Sequence, residues 1–85
     1  MYIRFMNGDH YAVDHVAQIK NGRQIVLNVL NMDFSQAHML FSDKNRTYRM
    51  TYNDGKNEED FVGYTRIMSI AEDENNGVHI WMEKE

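Results

Sequence analysis

The sequence predicts an α+β protein: a mostly antiparallel sheet of about six strands, in the order βββαβββ, curled around one short helix. Three observations carry this reading. Apolar and polar residues alternate at period 2 over several short runs. Asn-Gly pairs at Asn21-Gly22 and Asn76-Gly77 signal tight hairpin turns. One stretch, Asp33 to Phe41, instead repeats its apolar residues at spacings of three and four.

In residues 2 to 6, Ile3 and Phe5 face one way and Tyr2 and Arg4 the other, and Asn7-Gly8-Asp9 then turns the chain. From Tyr11 to Ile19, the residues Tyr11, Val13, Ala17 and Ile19 share a face opposite Asp14, Gln18 and Lys20, with Val16 out of phase. Asn21-Gly22 supplies the positive φ that both central residues of a type I′ turn need, and so joins this strand to the next. That third strand, Gln24 to Leu30, is apolar on both faces and therefore central.

Asp33 is an N-cap acceptor, and Gln36 three residues later can complete a capping box. Phe34, Ala37, Leu40 and Phe41 then line one helical face until Asp43, Lys44 and Asn45 end the apolar pattern. Thr47 to Tyr52 alternates as a fourth strand, with Tyr48, Met50 and Tyr52 on one side, and stops at Asn53-Asp54-Gly55. Lys56 to Asp60 reads as a solvated loop. Phe61 to Ala71 forms a fifth strand whose apolar phase shifts between Gly63 and Arg66, which calls for a bulge. Glu72 to Gly77 is a hydrophilic connection. In the last strand Val78, Ile80 and Met82 alternate with His79, Trp81 and Glu83.

The chain has 85 residues and no internal change of composition, so residues 1–85 are read as one domain. A core of this size leaves a stability of only a few kcal/mol. There is no cysteine, which excludes disulfides, thiolate nucleophiles and cysteine metal sites and fits a reducing compartment. Thirteen acidic against nine basic residues give a net charge of −4, the wrong sign for direct nucleic-acid binding. No stretch approaches the ~20 apolar residues of a membrane span, and no secretory h-region is present. The expected location is the cytoplasm of the cell that makes the protein, with no membrane contact.

The densest set of metal-ligand types is His10 and His15 with Asp9 and Asp14. Residues five apart on a strand point to opposite faces, however, so the two histidines cannot chelate one ion without a bend. His15 stands on the apolar face of its strand, where it reads as a hydrogen-bonded core histidine, and His38 faces solvent from the helix. No phosphate loop, nucleophile elbow or HExxH pattern occurs, so no cofactor, metal or catalytic activity is expected. Two acidic groups, Asp54 with Glu58, Glu59 and Asp60, and Glu72 with Asp73 and Glu74, would resemble a phosphate track if they shared a face. Tyr2, His79 and Trp81 fall opposite the core phase of their strands, and exposed aromatics are favoured anchors of protein contacts.

Several segments resemble a group of small proteins encoded among the tail and structural genes of phages and prophages of Gram-positive bacteria. They are Met1 to Gly8, the hairpin end Arg23 to Val29, the helix Asp33 to Phe41 with Ser42 to Asn45, Phe61 to Ile67, and the Val78-to-Glu83 strand. The resemblance implies a non-enzymatic structural or accessory component, in the host cytoplasm or the virion, that binds other proteins or itself through sheet edges and exposed aromatics. The alternative expectation is a small acidic inhibitor that occupies the basic groove of a host nucleic-acid-binding protein.

Overall fold

Strand alternation puts Ile3, Ile25, Leu27, Val29, Ile80 and Met82 on one side of their strands. In a computed structural model, which describes residues 1–74 and 77–85, all of them are buried in one core with Phe41, Met50 and Tyr64. The elements are β1 (Tyr2–Arg4), β2 (His10–Ile19), β3 (Gln24–Leu30), α1 (Phe34–Phe41), α2 (Lys44–Thr47), β4 (Arg49–Asn53), β5 (Glu58–Val62), β6 (Tyr64–Glu72) and β7 (Gly77–Lys84). The strands form one antiparallel sheet in the order β5-β4-β1-β2-β3-β7-β6.

The sheet works as two halves sharing β2. Residues His10 to Ala12 pair with β1, and Val13 to Ile19 pair with β3. Between them the register steps from Val13 opposite Val29 to His15 opposite Asn28, leaving Asp14 as the extra residue of a bulge. The bulge reverses the strand's phase. Tyr11 and Val13 point inward before it and Val16 after it, so Val16 packs on the core. His15 and Ala17 are exposed, which corrects the expected face of β2 and removes His15 from the core.

The halves also meet on the far side. β5 and β6 are the two borders of the strand order, yet Gly63 alone separates them in the chain. The sheet must therefore roll until its borders meet at one residue, a corner made by a strand that changes sheets. Gly63 has φ +90°, its amide donates to the Tyr48 carbonyl at 2.7 Å, and its carbonyl accepts from Thr65 at 3.0 Å. Register shifts between Tyr64 and Arg66 and between Ile67 and Ser69 follow the corner, and the first of them is the expected bulge.

Helix α1 starts where the cap predicts, with Asp33 Oδ1 accepting the Gln36 amide at 2.8 Å. Its inner face, Ala37, Leu40 and Phe41, enters the core, where Phe41 meets Phe5 edge-on with ring centres 5.3 Å apart. Burial of the Leu40 and Phe41 side chains contributes roughly 1.5–3 kcal/mol each, and the Ala37 methyl less.

Strand count and order differ from the expectation: seven strands and two helices are present among the described residues. Asp43 to Asn45 do not simply end helix α1. Asp43 Oδ1 accepts the amides of Asn45 at 3.0 Å and Arg46 at 3.3 Å, capping the second helix, α2. Thr47 and Tyr48 accordingly belong to α2 and its C-cap, and Tyr48 is exposed. Glu58, Glu59 and Asp60 form strand rather than loop, because a border strand paired on one side can keep its charges in water. The turn after β2 spans Lys20 to Arg23, with positive φ at Lys20, Asn21 and Gly22 and the Gly22 amide donating to the Ile19 carbonyl at 3.2 Å. The Arg23 amide also donates to the Lys20 carbonyl at 3.1 Å, so a turn with Asn21-Gly22 at its centre joins the two strands as expected, overlapped by a second turn one residue earlier. The second turn signal, at Asn76-Gly77, falls partly on Asn75 and Asn76, which lie outside the described residues.

Candidate interaction surface

On β7 the residues Val78, Ile80 and Met82 are fully buried, which directs His79, Trp81 and Glu83 to the outside of the half formed by β2, β3, β7 and β6. Cross-strand register assembles this outer face in rows. Gln24 lies opposite Glu83, Val26 opposite Trp81, and Asn28 opposite His79, while Ala17 flanks Val26 and His15 flanks Asn28. On the other side Ser69 lies opposite Trp81, with Met68 next to it in the chain and exposed.

Trp81 is 38% exposed but not loose. Its indole N–H donates to Gln24 Oε1 at 3.0 Å, and Gln24 Nε2 donates to Glu83 Oε2 at 2.8 Å. A carboxylate as buried as Glu83 needs cationic partners. It has them in Arg66, in direct contact, and Arg23, with Nε at 3.7 Å. The chain Trp81–Gln24–Glu83–Arg66 crosses β7, β3 and β6. It holds a large amphipathic side chain in one orientation, so little rotamer freedom remains to be lost when another surface covers it.

In the next row, His79 Nε2 stands 3.4 Å from Asp73 Oδ2, and the rings of His15 and His79 are 6.3 Å apart, flanking Asn28. Asn28 is only 7% exposed, and its Oδ1 has no hydrogen-bond partner among the described residues. Among the described residues, no three His, Asp or Glu side chains are placed to hold one metal ion. The fold therefore brings His79 and Trp81 together. It leaves Tyr2 on the other half, where its ring lies 5.3 Å from that of His10.

The acidic residues divide likewise. Asp54, Glu58, Glu59 and Asp60 belong to the β4–β5 hairpin, whereas Glu72, Asp73 and Glu74 stand where β6 leads to β7, at the other end of the β5–Gly63–β6 path. Most are engaged locally. Asp54 Oδ1 accepts the amides of Asn57 and Lys56, both at 2.8 Å, which holds its carboxyl below the ordinary 3.8. Glu58 pairs with Arg4 at 3.2 Å, and Asp60 accepts from Thr51 Oγ1 at 2.7 Å. Glu72 Oε1 accepts the Phe34 amide at 2.7 Å, tying the end of β6 to the N-terminus of α1.

No family model, curated protein or solved structure matches the chain.

Two open clefts lie away from Trp81 among the described residues. One of about 500 Å³ lies between α2 and the Gly63 corner, lined by Met6, Tyr48 and Thr65 and closed by the Lys44–Glu85 pair at 2.6 Å. Hydrogen bonds from Lys44 and then Thr65 hold the Glu85 carboxyl below its usual range. The other, of about 300 Å³, lies between the start of α1 and the end of β6. Sequence reasoning found Trp81 and His79 from strand phase but missed Gln24, Glu83 and Met68. The available signal was a glutamine on a central strand and a glutamate on the last one, both on the outward phase. No helix among the described residues is long and apolar enough to cross a membrane.

Proposed function

We propose that this chain is a non-enzymatic protein-contact module, a structural or accessory component of a phage or prophage that works in the bacterial cytoplasm or in the virion. Another protein docks on the outer face of β2, β3, β7 and β6, with Trp81 as its anchor. The observation that carries the reading is the indole of Trp81, exposed on one side and locked from behind through Gln24 and Glu83. A preorganised aromatic ring between Val26 and Ser69, with Ala17 beyond Val26, has the make-up of an interface hot spot. The resemblance of the segments named above to small proteins of phage tail and structural gene modules supplies the biological setting.

The test is a photo-crosslinking amino acid placed at position 81, and in a control at position 39, where Met39 is 67% exposed on α1 away from this face. Expressed in its bacterial host, the position-81 protein yields a defined adduct and the control does not. No adduct from position 81, or the same adducts from both, refutes the Trp81 face.

A further inference from the structure

The outer face of the Trp81 half is built from rows that cross β2, β3, β7 and β6. One middle row reads Ala17, Val26, Trp81 and Ser69, and the next reads His15, Asn28, His79 and Ala71. Neither row carries an Asp, Glu, Lys or Arg. Ala17, Ser69 and Ala71 are exposed and small, so the indole of Trp81 stands above its neighbours with room beside it. Charge is confined to the two ends of the face. Arg66 and Arg23 both reach Glu83 at one end, and Asp73 reaches His79 at the other. These two cations and two carboxylates cancel, in a chain whose net charge is −4. Two copies of so acidic a chain meet with least repulsion where the acids are balanced.

A sheet face can cover its own copy about a two-fold axis in either of two directions. An axis along the strands lays like ends together and brings Arg23 and Arg66 towards the arginines of the other copy. An axis across the strands turns the second sheet end for end. β6 then lies against β6, and the two middle rows exchange, with Trp81 over His79 and Ser69 over Ala71 of the other copy. The arginine end of each copy meets the Asp73 end of the other, and each indole has the small side chains of β6 beside it.

We propose, building on the Trp81 reading above, that the protein docking on this face is a second copy of the chain, related by a two-fold axis across the strands. The contact is isologous, so it closes as a pair and does not propagate. Four strands ~4.8 Å apart and ~20 Å long cover roughly 400 Å². A standard interface buries about 800 Å² per partner, so this pair is weak and forms as the protein is concentrated.

The experiment is the weight-average mass by analytical ultracentrifugation from micromolar to millimolar protein, on variants first checked for a wild-type melting curve. The wild type rises from 10.1 kDa towards twice that mass. Trp81→Ala removes the anchor, and Ala17→Glu, Ala71→Glu and Ala71→Lys each put a charge into the middle rows, so all four stay monomeric. Ala12→Glu, exposed on the β1 half, pairs as the wild type does. Mixing Ala71→Glu with Ala71→Lys restores the pair, because the axis sets β6 against β6. A wild type that stays monomeric throughout overturns the second copy, and so does a dimer that Trp81→Ala and both Ala71 variants leave intact. Restoration by Ala17→Glu with Ala71→Lys instead overturns the axis, since β2 would then face β6. With a monomeric wild type, a position-81 adduct to a different protein keeps the Trp81 face and rules out the copy, whereas no adduct at all removes both.

Discussion

Gly63→Ala isolates the corner that closes the sheet. An added Cβ meets only Lys84 Cγ, at 3.9 Å, an ordinary contact, so steric overlap contributes nothing. What remains is the backbone at φ +90°, which costs an L-residue about 1–3 kcal/mol, less the ~0.4–1 kcal/mol that alanine saves by restricting the unfolded chain. The net loss is about 1–2 kcal/mol. The corner cannot turn away to relieve it, because Gly63 is held by Tyr48 at 2.7 Å, Thr65 at 3.0 Å and Glu85 at 3.4 Å. In a domain of this length each kcal/mol moves the melting temperature roughly 4–8 °C, so a circular-dichroism melt should fall by about 5–15 °C. Gly55→Ala is the control, at φ +101° in open space on an exposed turn held only by hydrogen bonds within Asn53 to Asn57, which can shift together without disturbing the sheet, and it should cost clearly less. A Gly63→Ala melt matching wild type, or an equal loss for Gly55→Ala, refutes the pinned-corner argument.

Phe41→Ala removes a fully buried ring packed edge-on against Phe5 and should cost about 3–5 kcal/mol. That is most of the stability of a domain this size, so its urea midpoint should fall towards zero. Tyr64→Phe deletes a hydroxyl that donates to the Gly22 carbonyl and accepts from Gln18 at 3.1 Å, and chemical denaturation should show a loss of about 1–3 kcal/mol. Asp54 is held ionised by the Asn57 and Lys56 amides, so its folded pKa lies below its unfolded one. Its contribution is present above the unfolded value and is lost as pH falls through the folded one. Asp54→Ala should therefore melt below wild type at pH 7, with the gap closing on acidification below 3.8.

The parts of the fold that were legible are those whose pattern is local. β3 runs from Gln24 to Leu30 and α1 from Phe34 to Phe41, as alternation and the Asp33 cap predict. The errors arise where a pattern is interrupted or settled by pairing. One extra residue at Asp14 flips the phase of β2 and moves His15 outside, although the out-of-phase Val16 was a trace of it. Glu58 to Asp60 is a strand only because β4 offers it a partner, and no local propensity marks it. Trp81 and His79 followed from strand phase, but the lock behind Trp81 joins residues more than fifty positions apart. The cleft at the start of α1 likewise joins Asp33 to Glu72, which only the return of β6 towards α1 brings together.

The rolled sheet still has two borders, β5 and β6, with backbone groups that another strand could use as a template. Both are poor templates. β5 opens with Glu58, Glu59 and Asp60, so two such borders laid together would set like charges against each other. β6 breaks its register twice within its first six residues, so an incoming straight strand would lose step almost at once. Fibrous stacking is thus discouraged at the two places where a small, marginally stable β protein is most exposed to it. With both borders made unsuitable for pairing, any contact with another molecule falls to the faces of the sheet rather than to its edges.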